Sequence, residues 1–437
     1  MAKENPTKMT INRFIKNMQF PFCSMQSQSV FQKHLLRLST LVCYFWLITP
    51  VVSQAQFGTL SPSAKISLVT VAPGQELYSG FGHSVLWVND PATGVDRAFN
   101  YGTFSFQEGN FYVKFLRGTL PYSVSVSPLS YQIAHYQEEN RSISEQVLNL
   151  SIPQKQRLYN FLENNYLPEN REYQYKFFYD NCATRMTVAL KAAMGDSLIY
   201  NGYTKEKLSF RQWIDRYAFK QNPWADFGMD LAIGAPSDEI ATPEQATFLP
   251  DNLAAAFADA RVKTATGTAP LVSSTRTIFT AAPFPPPSPL TPTVVFWSLA
   301  ILTLAFTYWQ IRANNVNFVF DKILFGIAGI AGWILLLLWF GTNHGVTAYN
   351  YDILWAFPLW MPLIFSLSKN KKPGWFQYLL IFYAFLLLCA TGNLAKHNLV
   401  LIPILAMLII RVYYINNSLS KIKVIEYGSG VADTKNH

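Results

Sequence analysis

The sequence predicts two structural classes in one chain: an exported α+β domain and, after it, an all-α transmembrane domain of five helices. Three observations predict this. Apolar residues make up 50% of the 437 and concentrate after Pro292. Strand-like patterns precede helical ones between residues 56 and about 262. A short apolar leader stands ahead of both.

The membrane domain rests on apolar runs at 294–311, 323–340, 353–367, 375–390 and 399–414. Each approaches the ~20 residues that cross a bilayer, and flanking Trp, Tyr and Lys can extend a short one to the interface. Asp352, Pro358 and Pro362 make the third run the least helix-like. Five such runs in so short a tail leave too little polar surface for a domain packed in water.

The formal net charge is +9, which by itself would suit a nucleic-acid ligand. Its distribution excludes that class: residues 56–293 hold 19 Lys and Arg against 21 Asp and Glu, a net of −2. The positive excess is topological. Arg312 and Lys322 follow the first run, Lys369, Lys371 and Lys372 the third, and Arg411, Lys421 and Lys423 the fifth, whereas the other two loops carry only Lys396. Positive residues stay on the cytoplasmic side, so everything between the leader and residue 294 lies outside. The leader agrees, with an apolar core at 38–52 behind Lys33 and Arg37 and then Ser53-Gln54-Ala55, suited to cleavage after Ala55. Translation from Met25 would leave a leader of ordinary length. An uncleaved anchor gives the same topology.

The expected organisation is therefore a leader at 1–55, an exported domain at 56–265, a Pro-rich linker at 266–293, membrane spans at 294–415 and a cytoplasmic tail at 416–437. Within the exported domain, "KISLVTVAP", "GHSVLWVND" and "RAFNYGTFSF" read as strands, the last two forming a hairpin about the turn-prone "DPATG". "PLSYQIAHYQEENRS" and "PQKQRLYNFLENNYL" have helical spacing, the second with Leu158, Phe161 and Leu162 on one face. "ATRMTVALKAAMG" is a helix that Gly195 ends.

Cys182 is the only cysteine of the exported domain, since Cys23 and Cys43 fall in the leader and Cys389 in the fourth span. In an oxidising compartment a thiol without a disulfide partner has two readings. It is either a small buried apolar residue or a nucleophile. The second is favoured by its place at a helix start, where the dipole and unpaired backbone N–H groups stabilise a thiolate or an oxyanion. Asp180 or Asn181 is suited to cap that helix. A thiol nucleophile needs a base, and the domain has two histidines. His135 belongs to a polar amphipathic helix. His83 follows two glycines and opens an apolar strand. A hairpin turning near Ala92 brings Asn100 and Tyr101 opposite His83, where Asn100 can orient the imidazole. A structural role for Asn100 at a turn or strand edge stands beside that reading. His83, His135 and Cys182 lack close metal-ligand spacing, there is no Gly-rich phosphate loop, and no cofactor is expected.

The succession "SGFGHSVLWVND", "FNYGTFSF", "KFLRGTLPYSVSV", "QVLNLS" and "YQYKFFYDNCATR" resembles the exported domain of the Bacteroidota lipoprotein N-acyltransferase family called Lnb, and the tail resembles its membrane domain. The exported domain is also similar to circularly permuted papain-like enzymes of the NlpC/P60 and lecithin:retinol acyltransferase kind, in which the histidine strand precedes the cysteine helix. The resemblance implies Cys182 as nucleophile, His83 as base and a location in the bacterial inner membrane, with the catalytic domain in the periplasm. Arg117, Tyr122 and Arg185 fall in family-like motifs, Arg185 with Tyr101 as candidates for substrate binding. In "GTNHGVTAYNYDILW", His344 and Asn350 lie at the outer boundary of the bilayer, placed for lipid headgroup binding or domain docking, and His397 is a weaker case. The implied reaction takes an acyl chain from a membrane lipid, through a thioester, to the α-amine of a lipoprotein's lipidated N-terminal cysteine. Cleavage of cell-wall peptides by a Cys–His site and non-catalytic binding of lipoproteins are the alternatives.

Overall fold

A computed structural model describes residues 57–433 apart from 106, 201–202, 265, 369–374 and 394–398. The leader with Cys23 and Cys43, the lysines at 369, 371, 372 and 396, and His397 lie outside the described residues.

The outer domain is built on a seven-stranded antiparallel sheet. Its strands are β1 (Lys65–Val71), β2 (His83–Asp90), β3 (Val95–Thr103), β4 (Pro121–Ser127), β5 (Ile143–Leu148), β6 (Glu172–Gln174) and β10 (Val272–Phe279), in the order β10-β5-β1-β2-β3-β4-β6. Strand β1 is central and buried at every position but its first, which is why its sequence runs apolar rather than alternating. Three short strands, β7 (Leu198–Ile199), β8 (Arg261–Thr264) and β9 (Gly267–Pro270), form a second sheet. Residues 267–279 are therefore part of the domain rather than of the linker expected there, because β10 pairs with β5 along its length.

Helices α1 (Phe111–Leu116), α2 (Leu129–Glu138), α3 (Ile152–Tyr166) and α4 (Cys182–Met194) are followed by α5 (Phe210–Gln221), α6 (Pro223–Ala232) and α7 (Pro250–Asp259). One sheet face packs Val69, Val71, Val85 and Ala98 against Leu129 and Tyr136 of α2. Helix α4 packs on β2 and β3 and against α3. The buried Arg211 ties α5 to α6 through Asp230 and the carbonyl of Ile233.

Among the described residues four helices are long and apolar enough to cross a membrane: α8 (Pro292–Arg312), α9 (Val319–Phe340), α11 (Trp375–Asn393) and α12 (Leu401–Asp433) over its part 401–420. Their polarity is inverted relative to a protein in water. On α8, Ile301, Leu302 and Leu304 are exposed while Thr303, Thr307 and Gln310 are buried. That arrangement is favourable only where the surroundings are themselves apolar.

The third of the five expected spans is not a continuous helix. Residues 351–366 form a 3-10 turn (Tyr351–Leu354), the single turn α10 (Trp360–Leu363) and a second 3-10 turn (Ile364–Ser366). Pro358 and Pro362 lack the N–H that an unbroken helix needs. The broken segment runs along α9 instead. A Cβ on Gly332 would fall 1.8 Å from the Ala356 carbonyl oxygen and one on Gly329 2.3 Å from the Met361 nitrogen, so only glycine permits this approach.

Arg411 also departs from expectation. It lies inside α12, fully buried, and does not follow the span as a free cytoplasmic charge. Its guanidinium makes two 2.7 Å bonds to Asp321 of α9, bonds Thr307 and Gln310 of α8 at 2.9 Å, and lies 4.0 Å over Tyr414. Three helices thus share one paired charge. Removing one partner leaves the other uncompensated at a cost of about 3–5 kcal/mol. Asp321→Asn should lower the detergent-solubilised protein's Tm sharply, and Asp321→Leu combined with Arg411→Met should recover most of that loss.

The membrane and outer domains meet along residues 341–350. Gly234 N donates to Val346 O at 2.7 Å, Asn343 N to Arg117 O at 2.8 Å and Ala235 N to Tyr349 O at 3.3 Å. Phe227 and Leu231 of α6 join the apolar core of the helices. The seam is main chain as well as side chain, which fixes the outer domain at one height above the spans.

Candidate active site

The site begins with a helix cap. Asn181 is extended, and its Oδ1 accepts from the N–H groups of Ala183 and Thr184 at 2.9 Å each, while the Thr184 hydroxyl accepts from Asn181 N at 2.8 Å. Its amide nitrogen donates to Phe177 O at 2.9 Å and Phe248 O at 2.7 Å. The side chain is therefore wholly engaged in holding the helix start. Asp180, the other cap candidate, is instead paired with Arg185 at 2.5 and 2.7 Å.

The cap places Cys182 at the first position of α4, buried, with its sulfur over the start of β2. The backbone N–H groups of Ser84, Ala183 and Cys182 itself favour the thiolate, but burial outweighs them and pushes the thiol up to about 11. Ser84 follows His83 directly. Asn100 stands opposite Val85 in the β2–β3 ladder, two residues along from His83 and so on the same sheet face. His83 Nε2 and Asn100 Oδ1 are 2.7 Å apart. An amide oxygen only accepts, so Nε2 carries the hydrogen and Nδ1 is left as the basic atom. Burial holds His83 down to about 4 despite that bond. At neutral pH the site is a thiol and an uncharged imidazole.

Tyr101 alternates to the opposite face from Asn100 and is buried there, with Arg185 over its ring at 5.9 Å and over Tyr173 at 4.0 Å. Four residues beside the thiol escaped the sequence reading. Tyr136 receives a 3.5 Å bond from the Asn100 amide. Tyr136, Tyr173 and Tyr175 all have raised phenols, through burial first and then through repulsion from a Cys182 thiolate. Arg141, buried, lies 5.3 Å over the Tyr136 ring and lowers both His83 and Cys182 electrostatically. The alternation in "EYQY" was the available signal for Tyr173 and Tyr175. Arg141, in a loop before β5, had none.

His344 and Asn350 belong to the seam. His344 Nε2 bonds Leu116 O at 3.1 Å, and Asn350, buried, donates to Leu231 O at 2.7 Å and accepts from Asp352 N at 3.0 Å. Arg117 caps α1 and offers its carbonyl to the seam, and Tyr122 stacks on Tyr175 at 4.6 Å. His135 is exposed and lies 3.4 Å from Glu139. Among the described residues no three His, Cys, Asp or Glu side chains converge as metal ligands.

An α+β domain that presents a capped cysteine beside a histidine–asparagine pair, docked on a bundle of inverted-polarity helices, defines a membrane protein with a thiol site held outside the spans. The chain belongs to the Lnb family. The family model for the Lnb N-terminal periplasmic domain matches residues 56–212, and that for the Lnb transmembrane domain matches 286–422. Comparison with curated proteins and with solved structures gave no match.

The protonation states are testable. In a Cys389→Ala background, alkylation of Cys182 by iodoacetamide should be slow at pH 7 and climb with pH towards about 11. A rate already flat above pH 7 would mean a preformed thiolate. His83 binds its proton more weakly folded than unfolded, so the unfolded chain takes up the extra proton between pH 6.5 and about 4. Stability is therefore lost as pH falls through that window. Denaturant titrations should show this loss for the wild type and not for His83→Gln.

Proposed function

We propose that this chain is a lipoprotein N-acyltransferase of the bacterial inner membrane, working through a thioester on Cys182. The observation that carries the reading is the Cys182, His83 and Asn100 arrangement on a domain fixed to the spans by a main-chain seam. The order of histidine strand before cysteine helix resembles permuted papain-like enzymes, and membership of the Lnb family supports the same reaction class.

In the first half-reaction an ester carbonyl of a membrane lipid reaches the sulfur. His83 Nδ1 takes the thiol proton as the C–S bond forms. The neutral resting pair suits a substrate that arrives from an apolar phase, since charge develops only as the bond forms. Asn181 engages the N–H groups of Ala183 and Thr184, so the backbone donor offered to the developing oxyanion at the start of α4 is that of Cys182 itself. The ester C–O bond then breaks, His83 returns the proton to the leaving alcohol, and the acyl group is left as a thioester. Asn100 holds the imidazole at Nε2, which leaves Nδ1 as its basic atom throughout.

In the second half-reaction the α-amine of a lipidated N-terminal cysteine attacks the thioester. An unperturbed α-amine has a pKa near 8, so a useful fraction is neutral. The amine gives a proton to His83, the C–S bond breaks, and the thiol is restored with an amide on the lipoprotein. Because donor and acceptor are both anchored in the bilayer, the seam replaces a search through solution by one in a plane.

Intact mass of a reporter lipoprotein's N-terminal peptide tests this. Cells depleted of the protein should lack one acyl chain on the amine, wild type should restore it, and Cys182→Ala and His83→Ala should not. The same lipopeptide mass in every strain would contradict the reading, and altered cell-wall peptides in those cells would point to hydrolysis instead.

A further inference from the structure

Helix α1 carries a dense run of open apolar side chains. Tyr112, Val113, Phe115 and Leu116 are 77%, 56%, 48% and 57% exposed, all within six residues. An open cluster of this kind is costly in water and marks a contact surface.

Its position says what covers it. His344 bonds the carbonyl of Leu116, and Asn343 donates to the carbonyl of Arg117. A Cβ on Gly118 would lie 3.1 Å from the His344 backbone nitrogen, so the end of α1 rests directly on the outer loop. That loop leaves α9 at Phe340, itself 74% exposed at the end of an apolar span. Elsewhere on the seam, Trp224 of α6 donates to Leu290 O and packs on Phe296 near the start of α8, as interfacial tryptophans do. Both contacts lie where the outer domain meets the ends of the apolar helices, and the end of α1 takes part in the first of them. Lys114, beside the apolar cluster, bonds Glu108 at 2.5 Å, so its charge is turned back to a polar partner.

The other side of α1 leads to the thiol. Phe111 stacks with Phe104 at 6.0 Å, Phe104 meets Tyr122 at 5.5 Å, and Tyr122 stacks on Tyr175 at 4.6 Å. A Cβ on Gly102 would stand 3.6 Å from Tyr175 and 4.0 Å from the Cys182 Cβ. Aromatic rings are thus continuous from the open helix to the cysteine.

We propose that α1 is seated in the outer leaflet of the bilayer, at the boundary of headgroups and acyl chains, and that the aromatic series behind it forms one wall of the passage by which an acyl chain reaches Cys182. The seat stands on the geometry alone; the passage rests on the acyl-transfer reading above.

Spin labels separate the two. The full chain, with its native cysteines replaced by alanine, would carry Val113→Cys, Leu116→Cys or, as a control, Val188→Cys on the exposed side of α4, in phosphatidylethanolamine–phosphatidylglycerol vesicles. A seated helix gives oxygen-to-nickel-chelate collision ratios at 113 and 116 about tenfold above that at 188. Equal ratios at all three overturn the seat. In the chain with native cysteines, Val113→Asp with Leu116→Asp should cut N-acylation of a reporter lipoprotein about tenfold or more with Tm unchanged, because a carboxylate resists entry into hydrocarbon. Unchanged acylation overturns the passage. If the wild type itself transfers no acyl chain, the reaction reading and the passage fail together, and the spin labels alone decide the seat.

Discussion

The geometry of the site depends on the side chain of Asn181. Buried at 3% exposure, it accepts two N–H groups of α4 and donates to the carbonyls of Phe177 and Phe248. One residue therefore ends the incoming loop, starts the helix and ties both to the segment before α7. A capping asparagine is ordinarily worth about 1 kcal/mol. Here it also leaves two carbonyls unpaired when removed, so its larger effect is on where the Cys182 sulfur stands relative to Ser84 and His83.

At that fixed point the reacting pair itself carries no charge, although the buried Arg141 lies nearby. Cys182 and His83 are both held neutral by burial, against backbone donors in one case and the Asn100 amide in the other. A resting thiolate in an oxidising compartment is exposed to disulfide exchange and oxidation, and a buried neutral thiol is much less so. The membrane domain applies the opposite economy. It buries a full ion pair, Arg411 with Asp321, and surrounds it with hydroxyl, amide and aromatic partners, so that α8, α9 and α12 share a polar anchor within an apolar bundle.

Much of this was legible in the sequence, and the failures have physical causes. Strands β1 to β3 and helices α2 to α4 follow from apolar periodicity and from Asn181 and Gly195 at the helix ends. The nearness of His83 and Asn100 follows from one hairpin, although Asn100 pairs with Val85 and not with His83, a shift of two residues from the expected register that keeps both side chains on one face. Tyr101, however, alternates to the other face. Residues 267–279 read as linker because β10 is an edge strand with polar exposed positions, and its pairing with β5, 131 residues away at Arg276 and Glu145, leaves no local trace. The third expected span is broken at Pro358 and Pro362, already visible as interruptions; what could not be read was that Gly329 and Gly332 give the broken chain a seat. Arg411 looked like a topological charge because its partner, Asp321, lies 90 residues earlier.

In the proposed reaction the Cys182 sulfur carries the acyl group. The measurement that addresses it most directly is peptide mass spectrometry of the purified full-length protein after incubation with an isotopically labelled phospholipid or diacylated lipopeptide and no amine acceptor. The labelled acyl mass is expected on the peptide containing Cys182, removable by neutral hydroxylamine and absent from His83→Ala. Acyl transfer to an added lipopeptide amine with no label ever trapped on Cys182, or with full activity in Cys182→Ala, would contradict it.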